Sequence, residues 1–144
     1  MIPAFDENQN LPPGIYTCTL AEVEARFAIN DHRSTLFSQL LLVIEILKEA
    51  HCTEVHLDGS FITAEPHPND FDLCYEPTGL KPTKSFKPFL TLDIETRQAT
   101  FGGDIFPRMP EPPLRCDHVR LWQRDKNGDA KGIIRIVLKG PGND

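Results

Sequence analysis

Apolar residues recur along the chain with two different periods, separated by proline-rich breaks, and those periods predict its elements. From Arg33 to Ala50 they fall at Leu36, Phe37, Leu40, Leu41, Ile44 and Leu47, three and four apart, which makes one buried stripe on a helix. Ahead of it, Thr19 can cap a short helix through Glu22, Val23 and Phe27, its hydroxyl accepting from a first-turn amide. Thr53 to Leu57 alternates, with Val55 and Leu57 on one face and Glu54 and His56 on the other, as a half-buried strand does. A second strand is expected at Asp70 to Tyr75, after Gly59-Ser60 and a loop containing Pro66 and Pro68. Phe89 to Thr100 fits either a short helix or a strand, and Ala99 to Phe106 reads as a third strand broken by Gly102 and Gly103. Beyond a second proline-rich loop (Pro107, Pro110, Pro112, Pro113), Val119 to Gln123 and Ile133 to Leu138 read as a closing hairpin around Asn127-Gly128.

Together these elements imply an α+β domain, a mixed β-sheet with helices packed on it, preceded by an extended arm over Met1 to Gly14 with Pro3, Pro12 and Pro13. The 144 residues suit one such domain around a single core. Composition narrows the setting. The longest apolar run, Leu40 to Ile44, is too short to cross a bilayer, and the start of the chain lacks a signal-peptide pattern, so the expected location is the cytoplasm. Cys18, Cys52, Cys74 and Cys116 lie far apart with no C-x-x-C pair, which predicts reduced thiols rather than a zinc site or disulfide framework. A net charge of -6 without large Lys/Arg clusters argues against extensive non-specific nucleic-acid binding. A small phosphorylated ligand is still compatible with that charge, because a metal and a few amides suffice to hold it.

The candidate chemistry lies between Leu57 and Leu73. On a strand, Asp70 and Asp72 project from one face while Phe71 and Leu73 enter the core on the other. Two carboxylates at that spacing stay ionised comfortably only around a cation, and their hard oxygens suit Mg²⁺ or Mn²⁺. Gly59 lets the backbone approach a phosphate closely, and Ser60 offers an amide and a hydroxyl.

This arrangement resembles the nucleotidyltransferase superfamily that includes DNA polymerase beta: an apolar strand, Gly-Ser, a loop of nine residues, then Asp70-Phe71-Asp72-Leu73. The resemblance implies that Gly59 and Ser60 hold phosphate, and that Asp70 and Asp72 bind the metal with a third carboxylate from a neighbouring strand. Asp104, flanked by Ile105 and Phe106, is the preferred third carboxylate and Asp93 its rival. Over nearly the whole length, Met1-Ile2-Pro3-Ala4-Phe5-Asp6, Leu11-Pro12-Pro13-Gly14, Gly102-Gly103-Asp104-Ile105-Phe106-Pro107 and Lys131-Gly132-Ile133-Ile134 look like a family of short, uncharacterised bacterial proteins with this fold. Two departures matter. Phe61-Ile62-Thr63-Ala64 replaces the Ala-Arg-Gly run of many small members, and the chain is too short for the helical acceptor domain of larger ones.

Two functions follow as expectations. One is an enzyme moving a nucleoside monophosphate from an NTP, ATP by default, to a hydroxyl on an acceptor or protein partner. The other is a non-catalytic, nucleotide-sensing or antitoxin-like interaction module on the same fold. Elsewhere the plainer readings hold: Asp125, Asn127 and Asp129 start no calcium loop because Ala130 and Ile136 occupy its required glycine and glutamate positions. Cys52 and His56 lack a second ligand pair, and His67 serves loop rigidity among prolines.

Overall fold

A computed structural model describes residues 2–109, 111 and 117–138. In chain order its elements are β1 (Gly14–Thr17), α1 (Leu20–Phe27), α2 (Asp31–Glu49), β2 (Glu54–Asp58), a 3-10 turn (Ser60–Ile62), β3 (Phe71–Tyr75), α3 (Pro88–Thr91), α4 (Ile94–Phe101), β4 (Gly103–Pro107), α5 (His118–Leu121) and β5 (Gly132–Val137). The five strands form one mixed sheet in the order β1-β5-β2-β3-β4. β1 runs parallel to β5 and β3 parallel to β4, while β2 is antiparallel to both β5 and β3. An α+β fold with a mixed sheet is therefore what the chain adopts.

Helix boundaries follow local chemistry. Thr19 and Glu22 close a capping box on α1, and the Asn30 side chain accepts from Arg33 N at 2.8 Å to start α2. The α2 stripe buries Leu36, Phe37, Leu40, Val43, Ile44 and Leu47; Leu41 is 36% exposed instead. At 3.6 residues per turn Leu41 lies roughly 100° round the helix from Leu40, off the edge of the stripe, whereas Val43 returns to it.

Val23 and Phe27 of α1, the α2 stripe, Phe89 and Phe101 pack on one face of the sheet, against Val55, Leu57, Phe71, Leu73, Ile105, Ile134 and Ile136. The opposite face carries a smaller cluster in which Val119 and Trp122 meet Cys74 and Ile133. Because both faces are partly covered, β2 is not half-buried: His56 is 4% and Asp58 7% exposed. The free thiols Cys18, Cys52 and Cys74 are buried. Cys116, Pro110, Pro112 and Pro113 lie outside the described residues.

Phe89 to Thr100, which fits either helix or strand from the sequence, is helical within α3 and α4. Two expectations need correction, the first being that the third strand begins only at Gly103, not Ala99. Asp93 caps α4 by accepting from Thr96 N at 2.7 Å, and Gly102, at φ 85°, ends the helix in the left-handed region. Gly103 then starts β4 where a Cβ would come within 2.1 Å of Phe71 O, a close approach that only glycine permits. The closing hairpin is also absent: Val119 to Leu121 is helical, capped by Asp117, whose carboxylate accepts from Val119 N at 3.1 Å. β5 pairs instead with β1 and β2, and an isolated Arg124–Ala130 bridge is what holds the intervening turn. β1 begins at Gly14, the last residue of the expected arm, and has no counterpart among the expected elements; its four residues are too few for a period to emerge.

Candidate functional site: a carboxylate row beside a glycine turn

At the end of β2, Gly59 turns the chain with φ 91°, and a Cβ there would lie 2.9 Å from Asp72 N. That conformation is cheap for glycine and costly for any other residue. The turn is stitched to the start of β3: Phe61 N donates to Asp70 O at 3.2 Å, the Ser60 hydroxyl donates to the same oxygen at 3.3 Å, and Asn69 N donates to Ser60 Oγ at 3.2 Å. The Ser60 hydroxyl is thus engaged within the loop. Behind it, Arg33 of α2 is 2% exposed and donates to the carbonyls of Phe27, Phe61, Thr63 and Glu65, fixing the loop between the two halves of the motif.

Strand register then sets the carboxylates side by side. Asp58 of β2 pairs with Asp72 of β3, and Asp72 pairs with Asp104 of β4. Directly opposite residues on adjacent strands have Cβ atoms about 5 Å apart, so the three acids form a row across the face opposite the main core. Asp70, two residues before Asp72, joins it from the same face. The row ends in cations: Lys131, just before β5, pairs with Asp58, and Arg97 of α4 donates from Nε to Asp104 Oδ1 at 2.8 Å. Arg97 Nη1 also donates to Leu92 O at 3.0 Å, and Asp104 Oδ1 accepts from Ile105 N at 2.8 Å.

Burial and like charge act together on these acids. Asp72 is pushed up to about 7, first by desolvation and then by Asp70, Asp58 and Asp104, with Lys131 opposing. Asp70 is raised by desolvation and by Asp104. Desolvation also raises Asp58, against the pull of Lys131. His118 of α5 stacks on Phe106, two residues beyond Asp104, with ring centroids 4.2 Å apart. Desolvation lowers its pKa, while the charges of Asp104 and Asp117 pull the other way.

The fold therefore brings Gly59, Ser60, Asp70, Asp72 and Asp104 into one neighbourhood, and it gives Asp93 to the cap of α4 instead. Sequence reasoning passed over Asp58, Arg97, Lys131 and His118. Asp58 was open to it, since the residue just before a glycine turn must leave its strand on one face or the other. The other three are brought in by helix placement and by the unexpected position of β5. His67 packs edge-on against His32 in the loop, with centroids 5.6 Å apart.

A divalent cation fits this donor set chemically, because Asp70 and Asp72 present hard oxygens that no cation among the described residues pairs with. The donors do not yet converge: no three Asp, Glu, His or Cys side chains among the described residues form a finished cage, and Asp104 is turned toward Arg97.

Residues 3–137 match the profile of a family described as being of unknown function, DUF6932. The chain belongs to that family. No curated protein and no solved structure matches it. Among the described residues of this DUF6932 protein, no helix is long and apolar enough to cross a membrane.

Proposed function

We propose that this DUF6932 protein has a nucleotidyltransferase-like fold and is a metal-dependent nucleotidyltransferase, moving a nucleoside monophosphate from an NTP, ATP by default, to a hydroxyl acceptor. The observation that carries this reading is the Asp58–Asp72–Asp104 row beside the Gly59 turn, with Asp72 pushed up to about 7 by burial and three neighbouring acids. Clustered carboxylates at such a cost are characteristic of functional sites. Asp70 and Asp72 would hold Mg²⁺ or Mn²⁺, with Asp104 as third donor once it leaves Arg97. The ion would supply charge neutralisation for the triphosphate. In the turn, Gly59 N donates to the Asp58 carboxylate and Phe61 N to Asp70 O, so the Ser60 N–H is the amide that would meet a phosphate. In the reaction the acceptor oxygen bonds to the α-phosphorus, the bond to the β-phosphate breaks, and pyrophosphate leaves. A carboxylate of the row takes the acceptor proton.

The Arg97–Asp104 pair favours a second reading, in which the site binds nucleotide without transfer and the protein is a sensing or antitoxin-like partner module. Incubation with each α-labelled NTP, Mg²⁺ or Mn²⁺ and a cell lysate separates the two. Label transferred to a discrete product, and lost with Asp72→Asn, supports the enzyme; binding of NTP with no transfer under any condition supports the module.

A further inference from the structure

On the same face of the sheet, beyond Lys131, a cavity of about 690 Å³ opens between the start of β1 and the turn that follows α5. Its volume is that of a small-molecule site. Arg120, Arg124, Lys126 and Lys131 line it, with Asp125 as the acid. That is a local excess of positive charge on a chain whose net charge is -6. Asp125, whose carboxylate accepts from Asn127 N at 2.9 Å and Asp129 N at 3.0 Å, offsets one of these charges and Lys131 is paired with Asp58, so the excess rests on Arg120, Arg124 and Lys126. Among the described residues, no ion pair involves Arg120, Arg124 or Lys126.

The turn that carries these cations is internally braced. Asp125 N donates to Asp129 O at 2.8 Å, Gly128 N to Asp125 O at 2.9 Å, and Arg124 Nη1 to Gly128 O at 2.9 Å. Cations of one sign, gathered on a braced frame around a concave space, focus potential and select a compact polyanion. A long nucleic acid would need a basic face extending past the cavity, and the overall charge is against that.

We infer that this cavity is a binding site for a small polyphosphate or phosphorylated metabolite of nucleotide size, held by Arg120, Arg124 and Lys126, with Lys131 at its inner wall. Lys131 touches both this cavity and the carboxylate row through Asp58, so an occupant would sit next to the row without drawing on its donors. Binding here requires neither a metal nor Asp70 and Asp72, which distinguishes it from the donor site proposed above.

Calorimetric titration with inorganic tripolyphosphate, ATP and AMP, all in EDTA and at low ionic strength, tests the site. Tripolyphosphate binds the parent, Arg120→Glu with Lys126→Glu weakens it on the order of tenfold or more, and Asp70→Asn with Asp72→Asn leaves it intact. Salt approaching 1 M, where the screening length falls to about 3 Å, weakens binding as well. ATP binding tighter than tripolyphosphate identifies a nucleotide as the occupant, and equal binding identifies phosphate chains alone; either supports the site. Both reversed residues are exposed, and a melting curve checks that the variant is folded. Failure of metal-free tripolyphosphate to bind, or equal affinity in a folded reversal variant, overturns the inference and leaves the transferase reading untouched.

Discussion

Asp72 is the residue on which the most physics converges. Its carboxyl ordinarily titrates near 3.8, and in the folded chain it is pushed up to about 7 by desolvation, Asp70, Asp58 and Asp104. Between those two values the folded state holds a proton that the unfolded chain releases, so without metal this group's contribution to stability falls as pH rises through that window. Asp72→Asn, a permanently neutral analogue, removes the slope. The melting temperature of Asp72→Asn relative to the parent, in EDTA, should therefore climb from pH about 4 to about 7 and then level off. Parallel pH profiles for the two proteins would mean that Asp72 is solvated and unstrained. The Asp70–Asp72 pair was legible from alternation on a strand, but the neighbours that strain it were not, because Asp58 and Asp104 reach it through register between strands.

At the scale of elements, the loop between β2 and β3 is held from three sides. Gly59 turns it at φ 91°, Ser60 ties it to Asn69 and Asp70, and Arg33 pins its carbonyls from α2. Gly59→Ala should cost about 1 to 3 kcal/mol in urea unfolding, through backbone strain and the approach to Asp72 N. A cost below about 0.5 kcal/mol would show that the turn relaxes freely. Arg33→Met leaves buried carbonyls without a donor and should cost on the order of 3 to 5 kcal/mol, with weaker Mn²⁺ binding because Asp70 leaves its position. A stable Arg33→Met protein with unchanged Mn²⁺ affinity would sever that link. The long helix was readable because nineteen residues give its period room to repeat. The shortest elements are less legible: β1 carries too little pattern, and the α5 segment reads as a strand because Val119 and Trp122 are good strand formers. Asp117 as a cap decided the matter locally.

For the whole molecule, position in the sheet organises charge. β5, expected in a terminal hairpin, lies between β1 and β2, and that placement carries Lys131 to Asp58 and sets the basic cavity beside the acidic row. Across the face, charges run from Lys131 through Asp58, Asp72 and Asp104 to Arg97, with Asp70 alongside. Such a row is costly without a counter-ion at its centre, and the account rests on a divalent cation with an NTP filling that place. The most direct test is a set of melting curves with Mn²⁺ and ATP on the parent and on Asp70→Asn with Asp72→Asn. The parent should gain about 2.7 kcal/mol at a hundredfold excess of ligand over its dissociation constant. The double variant should be at least as stable as the parent without metal and should gain no stabilisation that depends on Mn²⁺. A double variant that is destabilised, in a protein whose parent is indifferent to Mn²⁺ and ATP, would contradict it and make the aspartates part of the scaffold.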